Sequence, residues 1–135
     1  MNVRSRLVAL LILLVACTHK TPEQKLLDDV DSAVSWVGTL QFAGEKWLSN
    51  SVPSSFVRAT VDGAKKDFDK TTKTIAKSPA RKELRDSIGN QIELAQAAAE
   101  HVKEAIEKND RRTVAKAVRQ FAIASAALQQ LEQNK

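Results

Sequence analysis

The sequence predicts an all-α protein, an antiparallel up-down four-helix bundle that follows a cleaved leader. Apolar residues recur at alternating steps of three and four along four long segments, which is the heptad pattern of packed helices. Pro22, Pro53 and Pro79 each fall near the start of one of these segments. The connections are short and no segment alternates in the manner of a strand. The main structural alternative is a three-helix arrangement with the second helix loosely docked.

The first helix is predicted from its capping residues and its seam. Thr21 is a suitable N-cap, Pro22 suits the first helical position, and Gln24 completes a capping box. The helix is expected to end near Leu48, before the turn-rich residues 50–55. Its seam consists of Leu26, Val30, Ala33, Val37, Leu40, Gly44 and Trp47. A glycine on this seam predicts a close helix contact or a kink.

The other three helices follow from the same spacing. The second is the least secure because Thr71, Thr72 and Thr74 lower its helical propensity. The third is expected to begin after Ser78-Pro79, a cap followed by proline, and the fourth follows the break at residues 109–110. The predicted seams are Val57, Val61, Ala64, Phe68, Thr71 and Ile75, then Leu84, Ile88, Gln91, Ala95, Ala98, Val102 and Ala105, then Val114, Ala117, Val118, Phe121, Ala124, Ser125, Leu128 and Leu131.

The first 17 residues have the pattern of an export signal. Arg4 and Arg6 precede the apolar residues 7–16, a run too short to span a bilayer as a helix. The run closes on Leu14-Val15-Ala16-Cys17, which resembles the lipobox of bacterial lipoproteins. The resemblance implies removal of residues 1–16, diacylation of Cys17, a lipidated tether at 17–21 and a bundle domain at 22–135.

The resemblance also implies a location. The residue after the cysteine is Thr18, and not the Asp that favours the inner membrane, so we expect an outer-membrane anchor facing the periplasm. In a Gram-positive cell the anchor would lie on the cell membrane surface. The alternative is an ordinary secretory signal, in which Cys17 follows the cleavage site by chance.

Composition and motifs argue against nucleic-acid binding and against catalysis. Loss of Arg4 and Arg6 with the leader leaves 19 basic against 16 acidic residues, and no basic stretch is interleaved with aromatics. Motifs of di-iron bundles, zinc hydrolases, serine hydrolases and phosphate-binding loops are absent from the sequence, and so is a haem-attachment motif. We therefore expect no enzyme, no metal and no cofactor. The oligomeric state stays open.

One end of the bundle is a candidate partner surface. Aromatic side chains and arginines, the residue types enriched in interface hot spots, meet there, and Phe42 occupies the outermost position of the first helix. The candidate residues are Phe42, Trp47, Leu48, Val52, Phe56, Arg111 and Arg112. The alternative is that Trp47 and Leu48 only close the end of the core, while the arginines are exposed and inert.

The opposite end is a candidate membrane contact. Three residues separate Cys17 from the Thr21 cap, so the bundle is expected to stand almost on the lipid, with the junction of the second and third helices beside it. Basic residues cluster at that junction, where anionic headgroups could attract them. The candidates are Lys70, Lys73, Lys77, Arg81 and Lys82. The alternative is that these are ordinary solvated charges at helix ends.

The sequence therefore predicts a membrane-anchored, non-enzymatic interaction module that docks, stabilises or inhibits another envelope protein. One alternative is a carrier for an apolar ligand, held in a pocket lined by Phe68, Phe121 and the tryptophans. The other is a structural envelope tether that resembles the major outer-membrane lipoprotein, whose terminal Lys joins peptidoglycan, because this chain also ends in Lys135.

Overall fold

The computed structural model describes residues 19–134. Four helices account for most of them: α1 (Pro22–Leu48), α2 (Ser54–Lys77), α3 (Lys82–Glu107) and α4 (Arg111–Gln133). The predicted all-α four-helix bundle is thereby confirmed, and the three-helix alternative is wrong. Cys17 and the leader, on which the lipid anchor was predicted, lie outside the described residues, as does Lys135.

Each helix packs against its neighbours in the order of the chain, and α4 closes the bundle against α1. Across the centre, α1 also approaches α3, whereas α2 and α4 do not approach each other along the described chain. The cross-section is therefore a rhombus with α2 and α4 at its far corners. None of the helices between residues 22 and 133 is long and apolar enough to cross a membrane.

The two ends of the bundle are made by different parts of the chain. The N-terminal end holds the start of α1, the α2–α3 loop and the end of α4, because Thr21, Arg81, Leu131 and Asn134 line one cavity there. The far end holds the α1–α2 and α3–α4 loops, which meet where Arg111 reaches the carbonyl oxygen of Leu48.

The predicted seams form the core. Every seam position of α1 and α2 is buried, and Phe68 and Phe121 are fully enclosed. The close contact expected at Gly44 is confirmed, since a Cβ there would lie 2.5 Å from Val118 Cγ2. The half-buried seam positions are Leu84, Gln91, Val118, Ser125 and Leu131.

Local capping explains where α1 and α4 begin, whereas α2 and α3 have no side-chain cap. At α1 the capping box is present: Gln24 N donates to Thr21 Oγ1 at 3.2 Å, and Thr21 N donates to Gln24 Oε1 at 3.1 Å. In α4, the Asp110 carboxylate accepts from Thr113 N at 3.1 Å. These local signals depend on residues three apart, which is why the sequence shows them.

The helix α3 begins after Ser78-Pro79, as expected, but the predicted cap is wrong. Ser78 does not cap the helix, because its hydroxyl accepts from Ala80 N at 3.2 Å within the loop. Ala80 is 4% exposed and belongs to the core, so the chain turns inward before α3 begins at Lys82.

The threonines of α2 do not prevent its folding. The hydroxyls of Thr72 and Thr74 donate to the carbonyl oxygens of Phe68 and Lys70, one turn earlier, while Thr71 is buried in the seam. The hydroxyls of Thr72 and Thr74 thus form their hydrogen bonds within the helix.

Candidate interaction surfaces

Trp47 lies inside the far end. Its side chain is 7% exposed, and its Nε1–H donates to Ser54 Oγ at 2.9 Å, which joins the last turn of α1 to the first turn of α2. Leu48 and Val52 are half-buried and pack against the core. These three candidates for the partner surface therefore close the end of the bundle.

Arg111 is committed to the same closure. Its guanidinium donates to the carbonyl oxygen of Leu48 and, at 3.4 Å, to Asn50 Oδ1, and its Cζ lies 5.5 Å from the centre of the Trp47 ring. A cation at the carbonyl end of α1 also complements the helix dipole. Arg111 thereby contacts the α1–α2 turn. Within this turn Asn50 has φ 58°, a left-handed conformation that asparagine tolerates.

An open cavity of about 620 Å³ lies beside this closure. Trp47, Arg111, Asn109 and Ile106 line it together with residues 50–54. Asn109 has φ 52°, so both loops of the far end turn through a left-handed asparagine. The cavity is a groove between two loops that Arg111 holds together.

Phe42 and Phe56 are the apolar members of the predicted partner surface that remain in solvent, 51% and 42% exposed. Gly63 of α2 meets Trp36 of α1, and in an antiparallel pair this register sets Phe56 opposite residue 43 of α1. The two phenylalanines therefore lie at one height on neighbouring helices. Lys46 Nζ lies 5.4 Å from the centre of the Phe42 ring.

Arg112, the remaining candidate of this surface, is exposed at the start of α4. It has no ion pair or side-chain hydrogen bond within residues 19–134. Lys116 and Arg119 of α4 are exposed in the same way.

The basic cluster at the N-terminal end divides into paired and unpaired cations. Arg81 Nε lies 3.5 Å from Glu23 Oε1, and Lys82 Nζ lies 2.5 Å from Asp86 Oδ2. Lys70, Lys73 and Lys77 are exposed and make no ion pair or side-chain hydrogen bond with any part of the chain that the structure describes. These three remain available to an external anion.

Glu23 joins the start of α1 to the α2–α3 loop. The pKa of this carboxyl is lowered first by its own backbone N–H and then by the N–H of Arg81, which donates to Oε1 at 3.2 Å. The contact fixes the loop that carries Arg81 beside the first turn of α1.

Three features were not foreseen from the sequence. Lys66 lies exposed one turn before Lys70, the carbonyl contact of Arg111 spans 63 residues, and Leu94 is 57% exposed on α3. Leu94 lies directly before the seam residue Ala95, so the helical period places it off the seam. This signal was present in the sequence. Ile123, which is out of phase with the α4 seam, is 68% exposed.

No group of three or more His, Cys, Asp or Glu side chains within residues 19–134 is arranged to hold a metal ion. The chain matches no protein-family model, no curated protein and no solved structure.

Proposed function

We propose that this chain is a lipid-anchored envelope protein whose bundle works by binding another protein. The observation that carries the proposal is the pair of half-exposed phenylalanines, Phe42 and Phe56, at one height on α1 and α2. Aromatic side chains at the centre of a patch are the usual anchors of protein interfaces. Lys46 beside Phe42 favours a partner whose apolar contact is flanked by an acidic group.

The lipid anchor rests on the sequence. Leu14-Val15-Ala16-Cys17 resembles a lipobox, and Thr18 favours the outer membrane with the bundle in the periplasm. The capped start of α1 at Thr21 supports this arrangement, because a four-residue step from Cys17 reaches at most about 14 Å. The bundle would therefore stay close to the bilayer.

The partner surface is smaller in this proposal than the one the sequence indicated. Trp47, Leu48, Val52 and Arg111 contribute rigidity, because their contacts lie within the molecule. Phe42 and Phe56 supply the accessible apolar area, and Arg112 lies exposed at the same end.

The two alternatives have weaker support. Phe68 and Phe121 are fully buried and line none of five cavities along residues 19–134, so a pocket for an apolar ligand between them lacks support. The peptidoglycan tether needs a chain end that is far from the anchor. Asn134, however, shares a cavity with Thr21.

The test is photocrosslinking in cells from positions 42 and 56 of the lipidated chain. Positions 94 and 123 serve as controls, because Leu94 and Ile123 are more exposed than either phenylalanine but lie on α3 and α4. We expect one protein to crosslink at 42 and 56 and not at 94 or 123, and the purified protein to bind the wild-type chain at least tenfold more tightly than a Phe42→Ala, Phe56→Ala variant.

Self-crosslinks alone at 42 and 56 would replace the proposed partner by a second copy of the chain. Crosslinks distributed equally over all four positions would contradict a defined surface. The anchor is checked separately, by the mass of the mature N-terminal peptide and by release of a Cys17→Ser variant from the membrane.

A further inference from the structure

The outer face of α2 carries four lysines in one row. Lys66, Lys70, Lys73 and Lys77 are exposed and spaced by four, three and four residues, so they lie on one side of the helix. We call this row the lysine stripe. It runs about 16 Å along the helix axis, from the N-terminal end toward the middle of the bundle.

The acids of α2 form their hydrogen bonds with neighbouring helices and not with the stripe, although Lys66 still attracts Asp62 one turn away. Asp62 accepts from Lys103 at 2.8 Å and Asp69 from Gln96 at 3.2 Å, both toward α3. Asp67 accepts from Ser32 at 2.9 Å, toward α1. Within residues 19–134 no stripe lysine makes an ion pair or a side-chain hydrogen bond.

The stripe begins beside the point where the tether enters the bundle. Lys77 lines one cavity together with Pro22 and Lys25 of the first turn of α1. The other unpaired row, Arg112, Lys116 and Arg119 on α4, begins at the far end instead. An anchor at Cys17 would thus hold the stripe close to a lipid surface and the α4 row away from it.

We propose that the lysine stripe binds the anionic lipid surface, so that the bundle lies on its side along α2 and does not stand upright. The inference rests on the proposed anchor. It differs from the upright arrangement expected from the sequence, in which Lys70, Lys73, Lys77, Arg81 and Lys82 meet the headgroups at the end of the bundle and Lys66 has no part.

Screening distinguishes the two orientations. Electrostatic attraction falls off over about 8–10 Å at physiological salt. In an upright bundle Lys66 stands about 16 Å farther from the surface than Lys77, beyond this length. On its side the bundle brings all four lysines to the headgroups at once.

The tether permits the lateral orientation. Neighbouring helix axes lie about 8–10 Å apart. With α2 on the surface, its own axis lies about 5–6 Å above the lipid, so the start of α1 is raised by at most about 13–16 Å. This height matches the reach of about 14 Å between Cys17 and Thr21. The outer face of α1 then points along the membrane, and Phe42 stays accessible to a neighbouring protein.

The experiment measures the distance of the far end from the lipid surface. Ser55 is exposed, lies on the stripe face eleven residues before Lys66, and sits at the far end of α2. Cys17 is the only cysteine, so once its sulfur carries lipid a Ser55→Cys change provides a single thiol for a fluorophore. Energy transfer to a headgroup dye then reports the distance in vesicles of phosphatidylcholine with or without phosphatidylglycerol.

In vesicles with phosphatidylglycerol we expect the label within about 15 Å of the surface, and in pure phosphatidylcholine near the length of α2, about 36 Å. The triple variant Lys66→Gln, Lys70→Gln, Lys73→Gln removes the three stripe lysines farthest from the tether, of which Lys66 reaches the surface only in the lateral orientation, and should restore the longer distance. About 1 M salt, where the screening length is about 3 Å, should act in the same way.

The matched control is Arg112→Gln, Lys116→Gln, Arg119→Gln, which removes the same charge from α4 and should leave the label near the surface. The proposal would be overturned if the label of the wild-type chain stays far from the surface of anionic vesicles, or if the label of the lysine variant stays near it. It would also be overturned if only the α4 variant moves the label away.

Failure of the anchor is read separately, from the mass of the N-terminal peptide. The proposal that the stripe binds lipid would still be supported if the unlipidated wild-type chain floats with anionic vesicles and the unlipidated lysine variant does not. An unlipidated chain that does not float would overturn it.

Discussion

The two ends of the bundle are held by different kinds of interaction. At the far end, Trp47 is buried, and Arg111 joins the two loops through a backbone carbonyl and an aromatic ring. At the N-terminal end, the exposed ion pair between Arg81 and Glu23 joins the α2–α3 loop to the first turn of α1. Exposed ion pairs contribute little to stability and are screened by salt, whereas salt does not screen the packing of a buried aromatic ring. We therefore expect the end that carries the proposed partner surface to be the more rigid one.

The largest effect should come from removing the aromatic plug of the far end. Trp47→Ala is expected to lower the free energy of unfolding by about 3–5 kcal/mol, because a large buried side chain is lost. Chemical denaturation measures the change. Phe42→Ala, on the exposed face of the same helix, should change it by no more than about 0.5 kcal/mol. Equal losses in both variants would show that the far end is not closed by Trp47.

A glycine pair compares the packing of the two ends directly. Gly44→Ala would place a Cβ 2.5 Å from Val118 Cγ2 and should cost about 1–3 kcal/mol of stability. Gly89→Ala, in the half of α3 near the N-terminal end, meets nothing within 4 Å and should stabilise by about 0.5–1 kcal/mol. Thermal unfolding of both variants checks the signs, and Val118→Ala should partly rescue Gly44→Ala.

The guanidinium of Arg111 should matter more than that of its neighbour. Arg111→Ala removes the donors to Leu48 and Asn50, and we expect a loss of about 1 kcal/mol together with faster amide exchange in residues 49–53. Arg112→Ala is the control, since that side chain makes no such contact within the described residues, and it should leave exchange in this loop unchanged. Identical exchange in the two variants would contradict the role of Arg111.

The smallest effect is expected at the N-terminal end, on lowering the pH. The pKa of Glu23 is below its ordinary value of 4.5, so this group contributes stability above that value and loses it as pH falls through the lower folded pKa. An NMR titration should show the Arg81 amide shifting with the Glu23 midpoint, and Glu23→Gln should abolish the shift. An Arg81 amide that does not respond to this titration would exclude the contact.

Much of the fold follows from short-range spacing, and much of the site does not. The α1 capping box and the seams of α1 and α2 depend on residues three and four apart, so they were predicted correctly. The predicted seam of α3 left out Ile92, Ala99 and Ile106, which are buried. The cap of α3 was misassigned because burial of Ala80 is decided by the assembled core. The contact of Arg111 with Leu48 is likewise visible only once distant helices meet.

The same distinction applies to the candidate surfaces. The sequence places Trp47 and Phe42 at one end, but only the packed bundle turns one inward and leaves the other in solvent. Helix periodicity predicts that the four lysines of α2 lie in one row. The hydrogen bonds of Asp62, Asp67 and Asp69 to other helices depend on how the bundle packs.

The position of Phe42 on α1 has a mechanical consequence. α1 begins at Pro22, directly after the tether, and also carries Phe42, so one helix would connect the lipid anchor with a bound partner. A force between the two would act along the axis of α1 and slide it past α4, because the partner would also hold α2 at Phe56. In this shear geometry the buried seam side chains of α1 would all resist the force at the same time, whereas in peeling they would separate one after another. A bundle loaded in this way withstands tension better than one peeled open from a loop.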